Sequence, residues 1–374
     1  MFSAPFQVDF DITMNCMYRC KHCNVAAGEL LHDEMTTEQI FNVLDQLDEL
    51  GISDVSITGG EPLLRSDCLE ILKYAASKIG FFLTLNTNGL LITQEVIEYL
   101  QKNCPHINVC VSLDGFDPVS YSILRQRKHN HQEILEKEFY KVKESLTLLS
   151  KSGLRCCVNY TVTKATLPNF IQTYNFIKSL GINNVLAIKF FPYGYGRENR
   201  EKLELEYSEW KNFLIDLANK KNNFYYKGIA VSVPCPWEMY LPLLDDNRSI
   251  EDVHTIFDFY SPLEVDLYKK DRNIGCHAGI TSCAISPNGD LYPCGTISAK
   301  FPALVCGNLK EDTLQNIWLN SPLLLQLRKL DISEIEGDCI SCKISTLCGG
   351  GCRCRAFSEF NSLKAKDYLC PLVD

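Results

Sequence analysis

Nineteen of the 374 residues are cysteine, and no other feature constrains the chain as tightly. A chain this long buries enough apolar surface to fold without cross-links. Disulfide-dense frameworks belong to small secreted domains. The thiols also gather toward the two ends, in Cys16-x3-Cys20-x2-Cys23 and in a field running from Cys276 to Cys370. Such grouping suits ligands of a metal or cluster in a reducing compartment. Met1–Phe10 alternates polar and apolar groups and lacks the charged and apolar regions of a signal peptide. No apolar run approaches the roughly 18 to 20 residues that span a bilayer. The sequence therefore predicts a cytoplasmic protein without membrane association. A formal charge of -9 disfavours nucleic acid as a partner.

Up to about residue 190 short β-branched or apolar runs alternate with stretches of helical periodicity, the rhythm of parallel strands joined by crossover helices. Strands are predicted at Gln7–Thr13, Asp54–Thr58, Phe81–Asn86, Ile107–Leu113, Arg155–Thr163 and Val185–Phe190. Helices are predicted at Thr37–Leu50, Asp67–Ile79, Thr93–Gln101, Ile134–Ser150 and Pro168–Leu180. Six βα units are too few for a closed eight-unit barrel, so the expected fold is α/β, a partial TIM-like (β/α)6 barrel over residues 1–190. Residues 191–275 read as a bridging region with a helix near Ser208–Lys220 and prolines at 234, 236 and 242. Residues 276–374 form a cysteine-rich domain organised by metal rather than by an apolar core.

Cys16, Cys20 and Cys23 follow the first strand directly. A [4Fe–4S] cube needs four ligands, so three thiolates would leave one iron open. A zinc site completed by His22 or His32 is the alternative, and spacing alone does not choose between them. Thr58-Gly-Gly-Glu-Pro62 then ends the second strand, Asn86-Thr-Asn-Gly89 the third and Ser112-Leu-Asp-Gly115 the fourth. All fall at the carboxyl rim of the strands, where parallel α/β folds carry their chemistry. The glycine pair permits close backbone approach to a ligand, and Glu61 can accept from an ammonium group. Any one of these is an ordinary strand-to-helix turn; a series of polar rim motifs behind a cysteine triad is harder to explain that way.

On these residues the chain resembles the radical S-adenosylmethionine enzymes over about residues 5–190. The resemblance implies that Cys16, Cys20 and Cys23 hold a [4Fe–4S] cluster whose open iron is chelated by S-adenosylmethionine. It also implies that Gly59, Gly60 and Glu61 hold the methionyl amine, and that Ser112 and Asp114 lie near ribose and carboxylate. Arg125, with Arg127 as the other candidate, is expected at the methionyl carboxylate; Asn159 and Lys189 are expected either to complete the pocket or to be simple strand polarity. The implied chemistry is one-electron cleavage of the sulfonium and hydrogen-atom abstraction by a 5′-deoxyadenosyl radical.

The C-terminal field contains Cys276, Cys283 and Cys294, then Cys339-x2-Cys342-x5-Cys348-x3-Cys352, and Cys370. Zinc knuckles are one reading of the paired spacings. Beside the upstream triad, the segment resembles the SPASM extension of radical S-adenosylmethionine enzymes. That resemblance implies a nearer auxiliary [4Fe–4S] cluster on Cys276, Cys283, Cys294 and Cys352, with Cys283 variable among relatives. Cys339, Cys342, Cys348 and Cys370 would hold the farther one, giving three clusters in all. Of the remaining cysteines, Cys68, Cys104, Cys110, Cys156, Cys157 and Cys306 read as small apolar fillers, whereas Cys235 and Cys354 are candidate proton or hydrogen-atom donors.

The SPASM resemblance points to a peptide or protein substrate and a one-electron reductant of the flavodoxin or ferredoxin kind. Sulfatase-maturing relatives carry an aspartate after the cysteine equivalent to Cys294; Gly295 stands here, which argues against that activity. Only fifteen residues precede Cys16, so no N-terminal leader-binding domain is expected, and a separate protein is a candidate to present the peptide. Tyr193, Tyr195, Trp210, Trp237 and Tyr240 are read either as a peptide groove or as scattered core aromatics. A small-molecule dehydrogenase or cofactor-biosynthesis enzyme, and a non-catalytic zinc-stabilised interaction protein, are the alternatives.

Overall fold

The computed structural model describes residues 2–78, 82–128, 132–222, 226, 228–265, 272–296 and 301–372. The predicted boundaries at Ile79 and Phe81 lie outside these residues. One sheet organises the whole chain: β1 (Gln7–Thr13), β2 (Asp54–Gly59), β3 (Phe82–Thr87), β4 (Asn108–Ser112), β5 (Arg155–Val162), β6 (Val185–Lys189), β7 (Ile229–Ser232), β8 (Ser282–Ile285), β9 (Asp290–Tyr292) and β10 (Gly307–Asn308). Its spatial order is β10-β9-β8-β1-β2-β3-β4-β5-β6-β7. The run from β8 through β1 to β7 is parallel throughout, and β9 and β10 add an antiparallel edge.

The six predicted strands are all present. Two further parallel strands were not anticipated. β7, in the bridging region, pairs with β6, and β8, in the cysteine-rich segment, pairs with β1 as Gln7↔Ser282 through Phe10↔Ile285. Each is four residues long, too short for a period of two to stand out. The cysteine-rich domain is thus joined to the barrel by a sheet ladder as well as by a chain connection.

Alternation along the strands divides the two faces. In β1, Val8, Phe10 and Ile12 are fully buried in the apolar core. Packed there with them is the helix Thr37–Glu49, whose buried Ile40, Val43, Leu44 and Leu47 repeat at helical spacing behind a Thr36–Gln39 capping box. The opposite face is polar and curls around a cavity of about 470 Å³. Residues of all eight parallel strands contribute to its lining, among them Asp9, Asp11, Thr58, Asn86, Ser112, Asn159, Thr161, Ile188, Ser232 and Ser282. Of the five bridging-region aromatics read as a groove or as core, Tyr193, Trp210, Trp237 and Tyr240 are buried and Tyr195 is half-exposed. Among the described residues no helix is long and apolar enough to cross a membrane.

Cys110 and Cys157 depart from the filler expectation. The β4–β5 register sets them directly opposite one another, and the structure joins them by a disulfide, one inward step below Ser112 and Asn159.

Candidate active site

The loop after β1 carries Cys16, Cys20 and Cys23. It is tied down at both ends, Cys16 N–H donating to the Gly28 carbonyl at 3.1 Å and Tyr195 N–H to the Cys23 carbonyl at 2.9 Å. The Cys20 thiol is buried and the other two are half-buried. Burial raises Cys16 to about 12 and Cys23 to about 11, with mutual repulsion adding to it. A buried set of thiols of this kind becomes anionic only beside compensating charge. Arg125 supplies some: its Nη1 lies 3.6 Å from Cys20 Sγ, and its Nη2 donates to Asp114 Oδ2 and to the Ser112 carbonyl, both at 3.1 Å. The donor set therefore fits a cationic cluster in which the loop supplies three ligands. Neither histidine completes it in the structure: His32 is exposed beside Asp33, and His22 Nε2 is 3.9 Å from Asp114. Burial holds His22 down to about 4, so its ring is neutral.

At the rim of β2, Gly59 has φ +126°, and a Cβ there would lie 2.3 Å from the Thr13 carbonyl oxygen; at Gly60 it would lie 2.3 Å from that of Asn15. The pair is glycine because β2 runs against the start of the cysteine loop, to which Gly60 and Glu61 donate backbone N–H bonds at 2.8 Å. Glu61 is fully buried, and its carboxylate already accepts from Thr87 Oγ1 and Asn88 N–H, both at 2.7 Å, and from Leu63 N–H. Its side chain fastens β2 to β3, so contact of this segment with a ligand falls to its backbone. Thr58, Gly59, Asn86, Ser112 and Asn159 face the cavity, Asn159 donating to Asn86 Oδ1 at 3.0 Å. Asp114 is buried between Arg125 and the Thr161 N–H. Arg127 pairs with Glu138 instead. Lys189 points away from this pocket, 2.5 Å from Glu238 and over the Trp210 and Trp237 rings.

Across the cavity stand cysteines of the C-terminal field. Cys276, Cys294, Cys352 and Cys354 all line it, with Cys354 Sγ 3.4 Å from Cys294 Sγ. Cys283 does not line it: its strand neighbours Ser282 and Ala284 face inward, and Cys283 is buried among the core side chains. Cys339, Cys342, Cys348 and Cys370 line a second, smaller void beside Trp237 and Asp367. Among the described residues no three His, Cys, Asp or Glu groups are close enough to hold a single metal ion. The thiols line the two voids, Cys276, Cys294, Cys352 and Cys354 the larger and Cys339, Cys342, Cys348 and Cys370 the smaller.

Between the two voids lies a buried ion network. Arg355 forks onto Asp367 at 2.8 and 2.6 Å, reaches Glu238 at 2.8 Å and lies 3.0 Å from Cys235 Sγ. Burial alone would push Asp367 up, but Arg355, the Cys352 N–H and the Trp237 indole together hold it down at about 2. Cys235 is therefore part of the joint between bridging region and cysteine domain, not of the cavity wall.

Sequence reasoning missed Asp9 and Asp11. Both face the cavity, and burial raises Asp9 to about 6 and Asp11 to about 8, repulsion from neighbouring carboxylates adding to it. Their signal was present in the polar–apolar alternation of β1, Gln7-Val-Asp-Phe-Asp-Ile-Thr13, which puts both aspartates on the face opposite Val8, Phe10 and Ile12.

The Radical SAM superfamily matches residues 10–205, and SPASM, an iron–sulfur cluster-binding domain, matches residues 276–343. An AdoMet-dependent heme synthase of Methanosarcina barkeri is 24% identical, covering 99% of this chain and 97% of its own. The PqqA peptide cyclase of Granulibacter bethesdensis is also 24% identical, covering 98% and 87%. Among solved structures, Streptococcus suis SuiB bound to its precursor peptide SuiA superposes with a TM-score of 0.75 at 20% identity, covering 99% of this chain and 76% of SuiB.

Proposed function

The chain belongs to the Radical SAM superfamily and carries a SPASM domain, and from that premise we propose that it is a peptide-modifying radical enzyme holding three [4Fe–4S] clusters. The observation that carries this reading is one continuous cavity, with the Gly59 rim and its polar strand ends on one side and four thiols of the SPASM domain on the other. When bound, the N-terminal cluster and S-adenosylmethionine supply a 5′-deoxyadenosyl radical that removes a hydrogen atom from substrate.

The chain's residues position and protect. The loop of Cys16, Cys20 and Cys23 offers three thiolates beside the Arg125 charge. The backbone at Gly59–Gly60 gives the cofactor close approach, and Ser112, Asn86 and Asn159 present hydrogen-bonding groups for its ribose and base. Cys276, Cys294, Cys352 and Cys354 are proposed as the nearer auxiliary set, because these four thiols face the cavity and Cys283 does not. In that role Cys354 is a ligand and not a hydrogen-atom donor. Cys339, Cys342, Cys348 and Cys370 are the proposed farther set. The auxiliary sites would relay electrons to or from a flavodoxin- or ferredoxin-like partner.

A peptide substrate is supported by the PqqA peptide cyclase and by the fold shared with SuiB. The heme synthase relatives favour a second reading, a small porphyrin substrate. The cavity chemistry weighs against it, since the described lining contains no lysine or arginine to receive propionate groups. Anaerobically reconstituted protein, S-adenosylmethionine and reductant, incubated with candidate precursor peptides and with an iron coproporphyrin, separates the two by mass spectrometry of the products. Loss of two hydrogens, or an isomerisation, in a peptide supports the proposal; decarboxylation of the porphyrin with peptides untouched overturns it.

A further inference from the structure

Resting on the peptide reading above, we propose that Asp9 and Asp11 form a clamp for a cationic group of the substrate, an ammonium or guanidinium, held between the S-adenosylmethionine rim and the nearer auxiliary thiols.

The two side chains occupy adjacent inward positions of β1, about 7 Å apart along the strand. Asp11 belongs to the cofactor end: its Cα and Cβ are each 3.4 Å from the position a Cβ would take at Gly59. Asp9 belongs to the auxiliary end: its Oδ2 lies 2.1 Å from where a Cβ would stand at Gly295, the residue after Cys294. Asp9 thus fills the volume that a side chain at 295 would occupy, and the glycine is what lets the carboxylate reach it.

Nothing in the described wall offers a cation to either carboxyl group, so a cationic ligand is what would draw Asp11 into its ionised form. Asp11 is 5% exposed and accepts no hydrogen bond among the described residues. Asp54, on the neighbouring strand, adds repulsion on Asp9. The described lining has two histidines: His22 leans toward Asp114, and His277 Nδ1 is 2.6 Å from Thr281 Oγ1. The nearby cations are committed elsewhere, Arg125 to Asp114, Lys189 to Glu238, and Arg355 to Glu238 and Asp367. Burying carboxylates without partners is costly, and a partner entering with the ligand removes that cost. A neutral or anionic group at this place would leave it standing.

The probes are Nα-acetylarginine amide and its neutral isostere Nα-acetylcitrulline amide, titrated calorimetrically into the reconstituted holoenzyme with S-adenosylmethionine bound and no reductant. The expected result is at least about tenfold tighter binding of the arginine probe in the wild type. Asp11→Asn and Asp9→Asn should each erase that preference while S-adenosylmethionine affinity and iron content stay at wild-type levels. Equal binding of the two probes, absence of saturable binding by either, or loss of S-adenosylmethionine affinity in Asp11→Asn in parallel with the probe would overturn the proposal. The last outcome would assign the carboxylate to the cofactor's own cation. If Asp11→Asn fails to load iron, Asp9→Asn carries the test alone. Formation of 5′-deoxyadenosine under reductant tests the radical reading separately, and its failure leaves the charge preference measurable.

Discussion

Replacing Arg355 by methionine keeps much of the volume of the side chain and removes its charge from the joint between the SPASM domain and the barrel. Asp367 then loses both bonds of its forked, charged partner and keeps neutral donors, the Trp237 indole at 3.1 Å and the Cys352 N–H at 2.9 Å, with Cys235 Sγ and Leu369 N–H both longer at 3.5 Å. Glu238 loses one cation and keeps Lys189. One newly unpaired buried carboxylate costs about 3–5 kcal/mol. With an unfolding entropy of about 2.1 cal/mol/K per residue over the full chain, that is a fall in thermal midpoint of about 4–6 °C. Because Asp367 also bonds the Cys352 backbone and borders the void of Cys348 and Cys370, iron content should fall with it. Scanning calorimetry at a fixed rate and iron analysis read both effects. Arg355→Met/Asp367→Asn should recover part of the loss, since the two residues form one interaction. A single variant within about 1 °C of wild type, or a double variant that is simply additive, would refute the assignment of this network as the joint.

Three further outcomes follow from the same geometry. Cys354→Ser should lower the iron of the reconstituted protein and alter the Mössbauer signature of one auxiliary site, whereas Cys283→Ser should leave both at wild-type values; the reverse pattern would return the fourth thiolate to Cys283. Gly295→Ala sets a methyl group against Asp9 Oδ2 and should cost about 1–3 kcal/mol, recovered in Asp9→Ala/Gly295→Ala, with thermal unfolding as the assay. Asp11 holds its proton up to about 8 in the native state, against an ordinary value of 3.8. The native state therefore carries the extra proton between those limits, and stability falls as pH rises through them by up to about 1.4 kcal/mol per unit. Asp11→Asn should remove that slope, seen as a variant that gains on wild type from pH 5 to pH 8 in denaturant titrations.

The parts of the fold legible in the sequence were those with long periods. The helix Thr37–Glu49 announces its buried stripe and capping box, and six strands of five to eight residues stand between turn signals. β7 and β8 were not legible, because four residues carry almost no periodicity and what makes them strands is pairing with β6 and β1. At the site, the cysteine spacings and the Gly59–Gly60 pair were readable because each residue answers to local chemistry. The partners of Glu61, Cys235 and Lys189 were not: each is bonded to residues 26 to 120 positions away, and only the curled sheet and the packed SPASM domain bring them together. Cys354, a candidate donor from its place two positions past a cluster-type cysteine, lies in three dimensions 3.4 Å from Cys294 Sγ, a neighbour that spacing could not show. Asp9 and Asp11 are visible as alternation in β1, but alternation alone does not say that the polar face closes over a cavity.

The account stands on an N-terminal cluster whose protein ligands are Cys16, Cys20 and Cys23 alone. The direct measurement is 5′-deoxyadenosine formed from S-adenosylmethionine under a strong reductant, in wild type and in the variant with all three cysteines changed to alanine. The nucleoside should form in the wild type and vanish in the triple variant while the auxiliary irons remain. A wild-type protein that loads its clusters yet releases no nucleoside, or a triple variant that still releases it, would contradict the account.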